Sequence, residues 1–464
     1  MPLYNPTVRL CHILDYARAS VERAARTIGP NLQPDRVMLP AIILLYLLFA
    51  VNYALNLPPG AGPDENEHIR YVQVLREYWR IPVLPGYAGH EEKHLELVMA
   101  QHPPGYYLLL AGLTAAAPEV SPTADVYLLR LVSVAMAVAA LVALAAALRL
   151  QLGNGAAYVA TALLLALLPQ YDYMTGVVNN TTGEMLCSAL ALYALAAIAQ
   201  CQGRQFWKWI LLGCAVGGAL ITKLTSAWLL VVVLLCIKAY GLTDASRHKW
   251  RTLGLRALAA LVPATAALAF WVLRSHYLYG IWIPESVTSR RLVHGGVLAF
   301  FLLPGVAWAV IARAVPQIVA TLAVPFWLTR PDNWPTWWVN LPFAVLVIPA
   351  VVGFVRGWWR RCRHRVADQD DARQHSVAAI CLTGFFVSFL LTVLMVTRDL
   401  NVLVFAGRYM MSTLPMGVVV WAIEVRHLAG TEKNYGFVIA AAAAALLGAS
   451  LFMTDYTMHF HGVR

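Results

Sequence analysis

Apolar runs of about twenty residues recur along this chain, beginning with Leu39 to Leu57, and they limit what it can fold into. Backbone N–H and C=O groups inside a bilayer find no water, so each spanning segment must satisfy its own hydrogen bonds. Runs of this length are too long for barrel strands, which leaves helices. Apolar residues make up 60% of the chain and charged residues only 13%. A soluble globular domain is roughly half apolar, so this composition excludes one. The expected fold is all-α: a polytopic membrane protein of about eleven to thirteen transmembrane helices, with interfacial helices in its first external loop.

The net charge of +11 does not indicate a nucleic-acid partner, because the basic residues cluster in a few connecting segments, as positive-inside sorting produces. Residues 1–36 carry Arg9, Arg18, Arg23, Arg26 and Arg36 with apolar residues between them, and read as a cytoplasmic interfacial segment. Residues 37–464 then read as one transmembrane domain, with the external loop at 58–124. The first apolar run lies behind a basic segment and reads as an uncleaved signal anchor. Within the loop, the apolar stretch from Pro103 to Ala117 is short for a span and suits an interfacial or re-entrant helix. Further spans are expected at 125–149, 155–172, 183–201, 206–222, 224–240, 254–273, 339–357, 376–397, 409–427 and 434–453. The stretch 297–337 reads as a hairpin or a re-entrant pair ending in a Trp-rich belt. On this topology the loop with Arg274, Arg290 and Arg291 is the one strongly basic connector outside, and it calls for a reason of its own. The seven cysteines form no C-x-x-C pair and indicate neither a disulfide framework nor a cysteine metal site.

The densest chemistry follows the first span: Pro63-Asp64-Glu65-Asn66-Glu67-His68-Ile69-Arg70-Tyr71. Ionisable groups where a hydrophobic helix leaves the bilayer suggest function. The expected external face also collects His90, His94, His102, Asp172, Asn179, Asn180, Lys223, Arg398, Arg408 and Tyr409, with acids early and bases late. That division suits a reaction in which a carboxylate takes a proton from an acceptor hydroxyl while cations hold a departing phosphate. Arginine's fork supplies the charge-assisted donors a phosphate needs.

Asp64-Glu65-x-x-His68 after the first span, followed by His102-Pro103-Pro104-x-Tyr106-Tyr107, resembles the multispan glycosyltransferases of the GT-C fold. These include the protein O-mannosyltransferases and the aminoarabinose transferases of lipid A. Arg130-Leu131-Val132-Ser133, Pro169 through Asn179-Asn180, Lys223-Leu224-Thr225 and Gly407-Arg408-Tyr409 extend the likeness in order along the chain. The resemblance implies a polyprenyl-phosphate sugar donor used on the outer, periplasmic face of a bacterial inner membrane, with inversion at the sugar. The sugar could be a pentose such as arabinose; the acceptor a secreted protein such as a pilin, lipid A or a cell-surface glycan. It also implies that Asp64 is the catalytic base, with Glu65 the second candidate. Substrate binding would fall to His68, His102, Tyr106, Asn179, Asn180, Lys223, Arg290, Arg291, Arg408 and Tyr409. Relatives often carry an acid after the Asn-Asn pair. Here Thr181-Thr182 follow, and Asp172 or Glu184 is the alternative second carboxylate.

Plainer readings stand beside these. Lys223 could be a lysine snorkelling at a span end, and Arg130 an interface anchor. Tyr106 and Tyr107 could be belt residues, and Pro103-Pro104 a helix start. His90-Glu91-Glu92-Lys93-His94 matches H-E-x-x-H, which on an α-helix would put two histidines on one face as zinc ligands, beside a glutamate base. No cofactor is required on the glycosyltransferase reading, and a divalent ion at His90 and His94 is the metal candidate. Two other function classes remain open: a transporter or flippase of a lipid-linked anion, and a membrane zinc protease.

Overall fold

The computed structural model describes residues 34–115, 121–153, 162–241, 249–283, 369–398 and 406–460, with isolated positions between 305 and 359. These residues form twelve principal α-helices and no named strand. The all-α expectation is therefore met. Helix α1 spans Pro34–Asn56, α2 Glu65–Tyr78, α3 Gly105–Thr114 and α4 Pro122–Leu152. They are followed by α5 (Pro169–Thr175), α6 (Asn180–Gln200), α7 (Phe206–Thr222), α8 (Trp228–Tyr240) and α9 (Lys249–Tyr279). The last three are α10 (Gln369–Arg398), α11 (Leu414–Ala429) and α12 (Glu432–Phe460). Among the described residues six helices are long and apolar enough to cross a membrane, and three shorter apolar helices accompany them. Arg290, Arg291 and most of 1–36 and 297–337 lie outside the described residues.

The helices around the site pack as a row: α4 against α6, α6 against α7, and α7 against α9. Between apolar helices in lipid, close approach rather than hydrophobic expulsion drives association, and small residues permit it. Gly213 and Gly217, one turn apart on α7, illustrate this. A Cβ at either would come within 2.5–2.7 Å of the Ala259 or Pro263 carbonyl of α9. The main core is built of tyrosine, alanine and aliphatic side chains from α1, α4, α6, α7, α8 and α11.

Residues 58–115, the described part of the expected first loop after α1, are folded, as expected. Helix α2 buries Glu65, His68, Ile69, Val72 and Leu75, a 3–4-residue spacing that makes one face, and leaves Glu67 and Arg70 exposed. That face forms a second, smaller core with Tyr106, Tyr107 and Leu110 of α3, Leu129 of α4 and Val178. Pro104 stands at the N-cap of α3, so the Pro103-Pro104 pair does start a helix, while the two tyrosines after it are buried rather than in a belt. Ten residues of helix reach about 15 Å, half a bilayer core.

Arg274, part of the basic exception, is on α9 and donates to the carbonyls of Ile81 (3.3 Å) and Pro82 (2.8 Å). The backbone N–H of Leu84 donates to Tyr279 Oη at 3.2 Å. This base docks the first loop onto the end of α9, which accounts for it without a phosphate. A correction concerns Asp172, expected in an external loop at 172–183. It lies on α5 and is fully buried, because Pro169 opens a helix there and Asn179 caps the next one almost at once.

Candidate active site

Two adjacent carboxylates leave the first span in opposite environments. Glu65 is fully buried against Arg130 of α4, itself fully buried. Arg130 Nε donates to Glu65 Oε1 at 2.8 Å and Nη2 to Oε2 at 2.7 Å. The remaining arginine donors reach the carbonyls of Ala54, Leu57 and Pro58 at 3.0, 2.7 and 2.9 Å. Glu65 also accepts the backbone N–H groups of Gly60, Gly62 and Val178 at 3.0, 3.3 and 2.9 Å. A buried charge pair offsets its desolvation only when the other lone pairs and protons are also bonded, and here they are. The pair clamps the end of α1, the turn at Pro58–Gly62 and the segment before α6 into one unit. Arg130 is thus no interface anchor, and Glu65 has its oxygens committed.

Asp64, one residue earlier, is turned outward. It stands at the N-cap of α2 with φ 58° and ψ 17°, a left-handed conformation, and its side chain makes no cap hydrogen bond. Outside glycine this conformation is uncommon, although Asp tolerates it better than most, and such residues gather at functional sites. The carboxylate is 43% exposed and pairs with Arg408, whose Nη1 and Nη2 both lie 3.1 Å from Oδ2. Arg408 sits on a 3₁₀ turn (Ala406–Thr413), so residues 344 apart in sequence close the site. The neighbouring Tyr409 ring has two cations against it, Arg408 at 5.5 Å and Lys223 Nζ at 5.1 Å from its centroid.

Lys223 occupies the break between α7 and a 3₁₀ turn (Leu224–Ala227), in extended conformation with φ −159° and ψ 124°. It does not snorkel. It is buried, donates to Thr181 Oγ1 at 2.9 Å, and lies 3.6 Å from Glu184 Oε2. Irregular backbone at membrane depth is tolerated where it faces protein or a cavity, and this break turns an ammonium toward the site.

Two histidines lie behind these cations. His68 is buried on α2 and stacked on Tyr107 at 5.7 Å, with Tyr107 stacked in turn on Tyr71 at 3.8 Å. Asn179 Nδ2 donates to His68 Nε2 at 3.2 Å, which leaves the ring proton on Nδ1 to be donated to Tyr107 Oη at 2.8 Å. Burial, helped by Arg408 and Lys223, pushes the His68 pKa down to about 3. His102 is half-buried, with its ring 6.4 Å from that of His68, and is also pushed down to about 3 by desolvation, then by His68, Lys223 and Arg408. Both are neutral imidazoles at physiological pH and can bind a substrate without competing for the phosphate charge.

The expected residues of α3 and α6 converge here. Tyr106 bonds Ser133 Oγ at 2.8 Å and accepts the N–H of Asn179 at 3.0 Å. Asn179 caps α6 by accepting from Thr181 N at 2.9 Å and donates to the Pro63 carbonyl at 3.4 Å, beside Asp64. Asn180 Nδ2 is buried with no hydrogen-bond partner among the described residues. Asp64, His68, His102, Tyr106, Asn179, Lys223, Arg408 and Tyr409 thus form one neighbourhood. Sequence reading missed the Glu65–Arg130 pairing and the hydroxyls of Ser133, Thr181, Thr225 and Ser226. The quoted Arg130-Leu131-Val132-Ser133 and Lys223-Leu224-Thr225 motifs and the Thr181-Thr182 pair contained all of these hydroxyls but that of Ser226, without showing how they pair.

The H-E-x-x-H stretch lies apart from these residues in the chain and forms a 3₁₀ helix (His90–Leu95). With three residues per turn, positions four apart do not share a face, so the α-helical zinc geometry is missing. The His94 ring packs on Tyr78 at 4.3 Å, and Glu92 pairs with Arg80. Among the described residues no group of three His, Cys, Asp or Glu side chains comes together to hold a metal ion. Around Asp64 itself, the nearest carboxylate in the chain, Glu65, is committed to Arg130, so these residues do not fit a divalent ion.

Residues 101–272 match the family model described as dolichyl-phosphate-mannose-protein mannosyltransferase. No curated protein matches the chain in sequence. The oligosaccharyltransferase of Archaeoglobus fulgidus in its apo form superposes with a TM-score of 0.51 at 13% identity, covering 92% of this chain and 56% of the archaeal one. The oligosaccharyltransferase AglB from the same organism, in complex with an inhibitory peptide and a dolichol-phosphate, gives 0.50 at 12% identity, covering 91% and 56%. ArnT from Cupriavidus metallidurans bound to undecaprenyl phosphate gives 0.40 at 16% identity, covering 85% and 78%. The chain thus spans little more than half the length of the archaeal enzyme it superposes on. The resemblance read from the motifs is borne out: this is a polytopic, all-α membrane protein with the GT-C fold of the multispan glycosyltransferases.

Proposed function

We propose that the protein transfers a sugar from a polyprenyl-phosphate donor to an acceptor hydroxyl at the external end of its helices. One observation carries the reading: the half-exposed Asp64 carboxylate, on a left-handed backbone beside a buried clamp, pairs with Arg408, which shares the Tyr409 ring with Lys223. The family description names a dolichyl-phosphate sugar, and the archaeal structure of the same fold holds a dolichol-phosphate. Both support a lipid-phosphate donor here.

In this mechanism the acceptor oxygen attacks the anomeric carbon as Asp64 takes the hydroxyl proton. The bond between the anomeric carbon and the phosphate oxygen breaks, and its electron pair stays on the phosphate. The donor is a phosphodiester with one negative charge; the leaving polyprenyl monophosphate carries up to two. That growing charge is what Arg408 and Lys223 are placed to stabilise, and preorganised cations in a partly dry site act most strongly there. Attack opposite the leaving group inverts the anomeric centre. Arg408 also holds the Asp64 carboxylate in the resting state. As phosphate arrives it competes for the guanidinium, freeing the carboxylate to act as base.

The geometry favours Asp64 over Glu65 as base, because Glu65 already accepts five hydrogen bonds. A transporter of lipid-linked anions would use the same cations but would not need a strained, outward carboxylate. A cytoplasmic N-terminus and a site on the opposite face accord with the positive-inside reading, and a bacterial inner membrane, with the site periplasmic, belongs to the same proposal. A pentose as sugar and a pilin, lipid A or surface glycan as acceptor belong to the same proposal. The test is mass spectrometry of lipid co-purified with the protein, followed by transfer assays in membranes supplied with that labelled lipid-linked sugar. Movement of the lipid without a covalent sugar–acceptor product would overturn the reading.

A further inference from the structure

We infer that Glu184 is a positioning residue of this site: it holds the Lys223 ammonium, charged and aimed, where the donor phosphate binds. The inference rests on the proposed lipid-phosphate donor. Glu184 lies one turn into α6 and is fully buried. Its Oε1 accepts the hydroxyls of Thr225 at 3.1 Å and Ser226 at 2.8 Å. Both belong to the 3₁₀ turn that follows Lys223, so one carboxylate oxygen fixes the path of the chain through the helix break.

Among the described residues the other oxygen, Oε2, accepts no hydrogen bond, and it stands 3.6 Å from Lys223 Nζ. That separation is an ion pair without a shared hydrogen bond. Lys223 itself donates to Thr181 Oγ1 at 2.9 Å, one turn before Glu184 on the same helix. An ammonium has three donors. With one on Thr181 and a counter-charge behind it, Lys223 keeps donors for an incoming anion beside Tyr409 and Arg408. A lone ammonium buried here would tend to lose its proton, and a neutral amine neither attracts phosphate nor stabilises its growing charge. If instead Glu184 bonded Lys223 as tightly as Glu65 bonds Arg130, the cation would be spent on its partner. The looser pair keeps charge and availability together.

The test compares Glu184→Gln, Lys223→Gln and the double variant in the full-length, detergent-solubilised protein. Gln keeps the volume of Glu184 and its acceptor for Thr225 and Ser226 but removes the charge. Polyprenyl monophosphate, the expected product, serves as the binding probe. Glu184→Gln should weaken its binding by at least about tenfold, as should Lys223→Gln. The double variant should be no weaker than Lys223→Gln alone, because the carboxylate acts through the lysine. Donor KM should rise in Glu184→Gln while acceptor KM holds, a split that general loosening would not give. Losses that multiply in the double variant, or unchanged binding in Glu184→Gln, would overturn the inference. If Glu184→Gln does not accumulate, Thr181→Val, which removes the other tether, should show the same split to a smaller degree, and unchanged donor KM there counts against the inference. Thermal unfolding of the three variants reads the pair without any ligand. A wild-type protein that shows the stability coupling but binds no polyprenyl phosphate would sink the donor reading while leaving the pair intact.

Discussion

Asp64 and Glu65 are the same kind of group one residue apart, and the structure gives them opposite surroundings. Glu65 faces inward, fully desolvated, with Arg130 and three backbone N–H groups filling its lone pairs. Asp64 faces outward, nearly half exposed, with a single arginine as partner. A carboxylate saturated with donors is a structural pin, and one held by a single exchangeable cation can still act as a base. The left-handed backbone at Asp64 is the hinge between the two. It costs about 1–3 kcal/mol and persists only because its surroundings over-determine it. The Glu65–Arg130 clamp is what supplies that constraint.

Four experiments can break or sharpen this contrast, the largest effect first. Asp64→Asn should lower transfer from the lipid-linked sugar by about 10²–10⁴-fold, the range for loss of general base catalysis. Its unfolding temperature should stay near that of the wild type. Retained activity would remove Asp64 from the base role. Arg130→Ala should do the reverse, costing about 3–5 kcal/mol of stability by stranding Glu65 in the interior. Thermal unfolding reads this directly, and a stable Arg130→Ala protein would show that the clamp is dispensable.

Arg408→Gln sits between the two regions. It should weaken donor binding by about tenfold or more while leaving the fold intact, since its partner Asp64 can turn to water. An unchanged donor KM would separate Arg408 from the phosphate. The fourth effect is on stability in acid. His68 and His102 have folded pKa values of about 3, below the usual 6.5. Between these values the unfolded chain binds protons that the folded chain refuses, so stability is full above pH 6.5 and falls as pH drops toward 3. The slope is at most about 1.4 kcal/mol per pH unit for each histidine. His102→Gln should flatten the fall of unfolding temperature between pH 6.5 and 4, and an unaltered slope would place that titration elsewhere.

Much of this was legible beforehand. The span pattern follows from the energetics of unbonded backbone in lipid, which acts on every run in the same way. The short helix after Pro104, the folded first loop and the clustering of Asp64, His102, Lys223 and Arg408 were expected from local pattern and motif order. Other features were not. Lys223 and Arg130 each admitted a surface reading, because a basic residue near a span end looks the same whether it snorkels or turns inward. Asp172 looked like a loop residue until two helices met around it. His90 to His94 matched a zinc motif by letters, but the segment winds as a 3₁₀ helix, and spacing on an α-helix no longer applied.

The sequence by itself determined that this chain is a bundle of membrane helices with a charged stretch at the exit of the first. Apolar length and backbone hydrogen bonding are properties of each segment alone. Tertiary structure decided which of two neighbouring acids is buried as a pin and which is left turned outward. That depends on Arg130 arriving 65 residues later and Arg408 344 residues later, and no local pattern specifies the environment a distant helix will bring.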